Sequence, residues 1–208
     1  MNASFLPVVV LLEGQSDVAA MEVLIEASPL AAQAANIELV DMGGVTNVRQ
    51  HANMLVSSGR AHRVLGLCDA RETRYFVQAL AAHCPKITDP SIMRTFGFHV
   101  CRRDLEDELI RALGTERVLR VLNTLGLAES FHQFRRQPAW RDKPVHAQLR
   151  RFAGVASGRK TVFAAALASA TPLMSAPAPL RSLLMQIEWA LQEGGGPAIR
   201  RFRSLPRQ

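Results

Sequence analysis

A chain of 208 residues with 48% apolar and 21% charged side chains is long enough to bury a full core and has the balance of an ordinary globular protein. No apolar run approaches bilayer length, the apolar stretch near the start has no basic leader, and three cysteines without CxxC spacing argue against a disulfide framework or zinc knuckle. The expected setting is a reducing cytoplasm, away from any membrane. The net charge of +7 is unevenly spread: residues 1–108 carry nine basic against thirteen acidic side chains, a net of −4, and residues 109–208 carry sixteen against five, a net of +11. An acidic half joined to a basic half suits a metal-centred site acting on a polyanion, and the excess of arginine over lysine equally suits the codon bias of a GC-rich genome.

The first element is the run Leu6-Pro7-Val8-Val9-Val10-Leu11-Leu12, which stops at Glu13-Gly14. A short continuous apolar run of this kind reads as a parallel strand buried on both faces. Glu13 then stands at the strand's carboxyl end, where open α/β sheets place their ligands. It is either a cation ligand or a solvated turn residue. Gly14 is read as permitting a tight turn, and Ser16 as the cap of a helix over residues 17–27. Asp17 either assists the same cation or serves the helix dipole.

A second strand, residues 37–40, leads into Gly43-Gly44, which reads equally as a phosphate cradle or a plain turn. A helix marked by Val48, Ala52, Leu55 and Val56 follows and ends at Gly59. The third strand, residues 64–68, repeats the opening pattern, with Asp69 at its tip and Glu72 across a turn. After a helix over 73–83 and a proline-bearing loop, a fourth strand over 96–101 runs into Asp104-Leu105-Glu106-Asp107-Glu108-Leu109. Asp104 suits the cap of the next helix, and capping with the dipole accounts for one or two of these four acids but not all.

Four strand–helix units in succession predict a parallel, right-handed wound sheet. Its carboxyl edge would gather Glu13, Asp17, Asp69, Glu72, Asp104, Glu106 and Glu108 as candidate metal ligands. Such a cluster repels itself unless cations neutralise it, and hard oxygen donors in this number favour Mg²⁺ or Mn²⁺ over zinc.

Glu13-Gly14-Gln15-Ser16-Asp17, the strand-end Asp69 and the Asp104–Leu109 block resemble the Toprim domain in the variant of the OLD nuclease family, over residues 5–113. The resemblance implies a parallel sheet flanked by helices, divalent metals and phosphodiester chemistry on DNA, with RNA as the alternative polymer. It places Glu13 and Asp69 on the family's catalytic acids and Asp104 with Glu106 on the OLD-type acids. Lys160 falls on the late lysine, which would neutralise charge developing on the phosphate. One departure is Arg71, which stands where the second acid of the DxD motif belongs; Glu72, one place along, is the substitute. Larger OLD nucleases carry an ATPase domain that this length does not accommodate, so a separate ATPase chain and a homodimer are left open as partners. The stretch over 154–161 has the wrong spacing and context for a P-loop, and ATP binding is rejected.

From residue 114 the pattern is helical and basic through 193, an extension expected to pack on the core, with a flexible basic tail over 194–208. Arg135, Arg136, Arg150, Arg151 and Arg159 are candidate phosphate contacts. Phe134 and Trp140 are read as packing, and Trp189 is placed on the apolar side of a helix over 180–192. Lys160, in the first turn of its helix, opposes the dipole. The expected activity is metal-dependent nuclease. A non-catalytic nucleic-acid-binding or regulatory module and a nucleotidyl transferase are the alternatives.

Overall fold

The computed structural model of the chain describes residues 7–58, 63–154 and 158–192. The expected tail over 194–208, the helix end at Gly59 and the middle of the 154–161 stretch lie outside the described residues. In chain order the elements are β1 (Val8–Leu12), α1 (Gln15–Glu26), β2 (Ile37–Asp41), α2 (Val48–Ser57), β3 (Arg63–Asp69), α3 (Thr73–Ala81), α4 (Pro90–Met93) and β4 (Phe98–Cys101). There follow α5 (Leu105–Leu113), α6 (Thr115–Thr124), α7 (Ala128–Arg136), α8 (Val145–Ala153), α9 (Arg159–Ala170) and α10 (Ala178–Leu191). Pro29–Asn36 forms 3-10 turns between α1 and β2. No helix among the described residues is long and apolar enough to cross a membrane.

The four strands form one parallel sheet in the order β2-β1-β3-β4, as the alternating strand–helix pattern predicts. β1 is central and every residue of it is fully buried. Its side chains alternate between two cores, as the strand's period of two requires. Val8, Val10 and Leu12 join Leu65, Leu67 and Cys101 beneath α1, α5 and the later helices, while Val9 and Leu11 join Val64, Cys68 and Phe98 beneath α2 and α3. Gly66 lets β3 and β4 pack closely, because a Cβ there would sit 2.8 Å from the Phe98 ring.

The helices after residue 113 share the first of these cores. Leu180, Leu183 and Ile187 of α10 are fully buried in it, and so are Phe163 and Leu167 of α9. α9 lies along α1 and also packs on α5, and α10 lies across β4, β3 and β1. Phe131, Phe134 and Phe152 form an aromatic group on which Trp140 stacks, 5.4 Å from Phe134. Both Phe134 and Trp140 are thus packing residues.

Several local expectations are corrected. Gly14, not Ser16, caps α1: its N–H donates to Asp17 Oδ2 at 3.1 Å, and Ser16 is buried within the first turn. Gly14 itself is extended at φ −161, a conformation open to any residue, so the turn does not require glycine. The loop after α3 contains α4, which starts as its sequence allows, with Asp89 accepting from Ser91 N at 2.8 Å and Pro90 at the first helical position. α10 begins at Ala178, and Trp189 is 47% exposed rather than turned into the core, because Leu180, Leu183, Leu184 and Ile187 form the stripe that meets the sheet.

Candidate metal centre

Parallel pairing brings the carboxyl ends of β1, β3 and β4 into one row, and the turns that follow carry the acids. Glu13 is fixed at the tip of β1 by its own carbonyl, which accepts from Gly44 N at 2.8 Å. Gly44 adopts φ +118 to reach it, and Gly43 N donates to Asp41 Oδ1 at 2.7 Å. Both glycine N–H groups are therefore spent inside the chain, and the Gly43-Gly44 pair is a turn that holds Glu13, not a phosphate cradle. Asp69 ends β3, and a turn closed by Glu72 N donating to Asp69 O at 2.9 Å returns Glu72 to the same edge. Arg71, between them, is exposed.

Glu13, Asp69 and Glu72 each offer a carboxylate oxygen within 4.8 Å of the other two. Burial, a hydrogen bond with Glu72 and the nearby charges of Asp69, Glu72 and Asp17 push Glu13 up to about 9. Asp69 rises to about 8, first through burial and then through Asp17, Asp104, Glu72 and Glu106. Glu72 Oε2 is buried with no hydrogen-bond partner among the described residues. Three half-buried carboxyls in mutual reach, two of them pushed above neutrality and the third with an orphaned oxygen, form a donor set that fits a hard divalent cation. The thiols of Cys68 and Cys101 behind them are pushed up, mainly by burial and then by Asp69, and stay protonated.

A second acidic group lies beside the first. Glu106, in the first turn of α5, is 2% exposed; it accepts a hydrogen bond from Ser16 and its Oε1 lies 3.5 Å from Lys160 Nζ. Burial raises Glu106 above its ordinary value, and Lys160 opposes that shift. Asp17 rises to about 7 through burial and the charge of Glu106, again opposed by Lys160. Asp104 caps α5, its Oδ1 accepting from Asp107 N at 2.8 Å. Its Oδ2 accepts from Arg150 Nε at 2.7 Å and from Arg150 Nη2. Lys160 is raised despite its own burial, because Glu106, Asp17 and Asp104 surround it.

The other two acids of α5 face elsewhere. Asp107 is buried, accepts from Arg111 Nε at 2.9 Å and lies 2.8 Å from His146 Nε2. Burial would raise it, but His146 and Arg111 hold it below its ordinary value. Glu108 accepts from Arg102 N at 2.7 Å and pairs with Arg111 Nη2 at 2.6 Å. Glu108 is thus engaged by the chain around its own helix and is not among the acids that converge at the rim.

The candidate phosphate contacts also divide. Arg136 and Arg151 are exposed. Arg135 lies 5.8 Å from the centre of the Phe131 ring, and Arg159 sits 4.2 Å over Phe152 and donates to its carbonyl at 3.4 Å. Arg150 is committed to Asp104. Sequence reasoning missed Arg150 in that role, together with Ser16 and His146, since each meets its acid only through the packing of α1 and α8 against α5.

Residues 5–70 match the family model described as the Toprim domain of overcoming lysogenization defect protein-like proteins. No curated protein matches the chain in sequence. Among solved structures, the C-terminal region of the Burkholderia pseudomallei OLD protein is similar at 20% identity, with a TM-score of 0.64 over 90% of this chain and 100% of that one. The C-terminal region of the Xanthomonas campestris pv. campestris OLD protein is similar at 21% identity, with a TM-score of 0.63 over 90% of this chain and 97% of that one. The resemblance read from the sequence is thus met by a family model over residues 5–70, and the fold of the OLD C-terminal regions is shared across most of the chain.

Proposed function

From an OLD-like Toprim fold with this acidic rim, we propose that the protein is a metal-dependent nuclease that hydrolyses phosphodiester bonds of DNA. The observation that carries the reading is the convergence of Glu13, Asp69 and Glu72 within 4.8 Å at the carboxyl edge of the sheet. Glu13, Asp69 and Glu72 would hold one divalent cation, Mg²⁺ or Mn²⁺, and Asp17, Asp104 and Glu106 a second. Bound there, the cations would supply Lewis-acid polarisation of a phosphate and neutralise its charge.

The chain's own groups would do the rest. Asp69 stands between the two acidic groups and anchors both. Glu13, whose raised carboxyl would give up its proton as a cation binds, would then orient an attacking water or accept a proton from it. Lys160 supplies a fixed positive charge at the rim and would stabilise charge developing on the phosphate or leaving oxygen. Arg136 and Arg151, exposed in the basic second half of the chain, would bind backbone phosphates, as would Arg135 and Arg159. RNA as the polymer, a second copy of the chain and a separate ATPase partner fall within the same reading, as does a cytoplasmic location.

Arg71 is the feature that favours a non-catalytic nucleic-acid-binding module. Its exposed position, with Glu72 in the acidic group, weakens that alternative. The test is cleavage of supercoiled and linear DNA in Mg²⁺ or Mn²⁺. Asp69→Ala should lower turnover by about a thousandfold or more, with the fold intact by circular dichroism. Unchanged cleavage in Asp69→Ala or in EDTA would refute the assignment.

A further inference from the structure

The six acids at the rim form two sets of three with unequal charge balance. Glu13, Asp69 and Glu72 form no salt bridge among the described residues, and the charge of Asp69 reaches a cation only at longer range, at Arg150. Asp17, Asp104 and Glu106 enclose Lys160, and Asp104 is also held by the guanidinium of Arg150. Both carboxylate oxygens of Asp104 are in use: Oδ1 takes the α5 cap bond from Asp107 N, and Oδ2 takes two donors from Arg150. Two charge-assisted bonds from one planar group to one oxygen are among the stronger side-chain contacts. A divalent ion ligated by Asp104 would compete with Arg150 for Oδ2, or take the remaining lone pair of Oδ1, and in either place would meet the guanidinium's positive charge beside it.

We propose that Arg150 is a resident counter-cation that controls entry of a divalent ion to the second half of the rim. The two ions then bind in order, the first at Glu13, Asp69 and Glu72 with Arg150 in place, the second only as Arg150 leaves Asp104. Arg150 is 39% exposed in its side chain, so its departure needs no unfolding of α8. Release would also free a guanidinium next to the site where a substrate phosphate would lie. Arg150 acts here as a positioning residue, through Asp104, and the inference rests on the nuclease reading only for the identity of the ions.

The experiment is Mn²⁺ titration of the full chain, followed by calorimetry and by the electron spin resonance of free manganese. Wild type should show one tight ion and a second weaker by about tenfold or more. Arg150→Gln should tighten the second by about tenfold or more and leave the first unchanged, while Asp69→Asn should remove the first. Arg151→Gln removes the same charge from the neighbouring exposed position without touching Asp104, and should change neither. Equal affinities in wild type, a second ion unchanged or weakened in Arg150→Gln, or equal tightening in Arg151→Gln would each overturn the proposal while leaving the nuclease reading standing. A folded wild type that takes up no manganese would overturn both. Should Arg150→Gln lose its thermal transition, Arg150→Lys, which keeps the charge but not the fork, replaces it and should give a smaller gain in the same direction.

Discussion

The acids that follow β1 and β3 and the acids of α5 arise from the same kind of sequence, a carboxylate just past the end of a buried strand, yet the structure treats them in opposite ways. Asp104, Glu106, Asp107 and Glu108 each have a positive or hydrogen-bonding partner: Arg150, Lys160, His146 with Arg111, and Arg111 with the Arg102 N–H. Glu13, Asp69 and Glu72 meet one another without a salt bridge among the described residues, and Glu72 keeps an oxygen buried and unpartnered there. The fold supplies the first set with cations or N–H donors of its own. The second is left in deficit of positive charge, as a site completed by something other than the chain would be. Proximity of carboxylates alone does not say which acids are ready for a cation; the counter-charge already present does.

That contrast breaks if the two sets respond alike to mutation. The largest effect expected is on cleavage, where loss of the Asp69 carboxylate removes the anchor shared by both acidic groups. Next comes stability, where the two sets should differ in sign. Asp107→Ala strips His146 and Arg111 of a buried partner and should cost about 2–3 kcal/mol, which lowers the melting temperature by roughly 5–10 °C for a chain of this size. Asp69→Asn removes a member of a self-repelling group and should leave the melting temperature in EDTA unchanged or higher. A comparable loss of stability in both variants would erase the distinction.

The smallest effect is on pH dependence. In the cation-free protein Glu13 titrates at about 9 and Asp69 at about 8, against ordinary values of 4.5 and 3.8. Between those limits the unfolded chain releases protons that the folded chain keeps, so the contribution of these two groups to stability falls as pH rises from about 4 to about 9. A bound cation replaces the protons, and its affinity should rise over the same interval. Melting curves in EDTA and in Mn²⁺ should therefore diverge by a few degrees more at pH 8.5 than at pH 6. A constant gap would mean that the acids are not in competition between protons and metal.

Much of this was legible in the sequence, and the part that was not has a common cause. Val8-Val9-Val10-Leu11-Leu12 before Glu13, and the same pattern before Asp69, announce buried parallel strands because nothing else explains an unbroken apolar run of that length ending in an acid. Asp104 as the cap of α5 follows from residue type alone. Glu72 in place of Arg71 needed only a count along a tight turn. What the sequence did not reveal is partnership across distance. Arg150 lies 46 residues from Asp104 and His146 lies 39 from Asp107, and no local pattern links them. Glu108 was misread for the same reason: its engagement by Arg111 and the Arg102 backbone is invisible until α5 is built. Trp189 erred differently, since a helix over the sheet has apolar residues to spare and periodicity does not say which one faces outward.

The most direct test of the central claim is anomalous diffraction at the manganese edge from crystals of the protein soaked in Mn²⁺. A peak coordinated jointly by Glu13, Asp69 and Glu72, with Arg71 turned away from it, is the result expected. A map with no peak there, or with manganese bound only at Asp104 and Glu106 while Arg150 keeps its place, would contradict it.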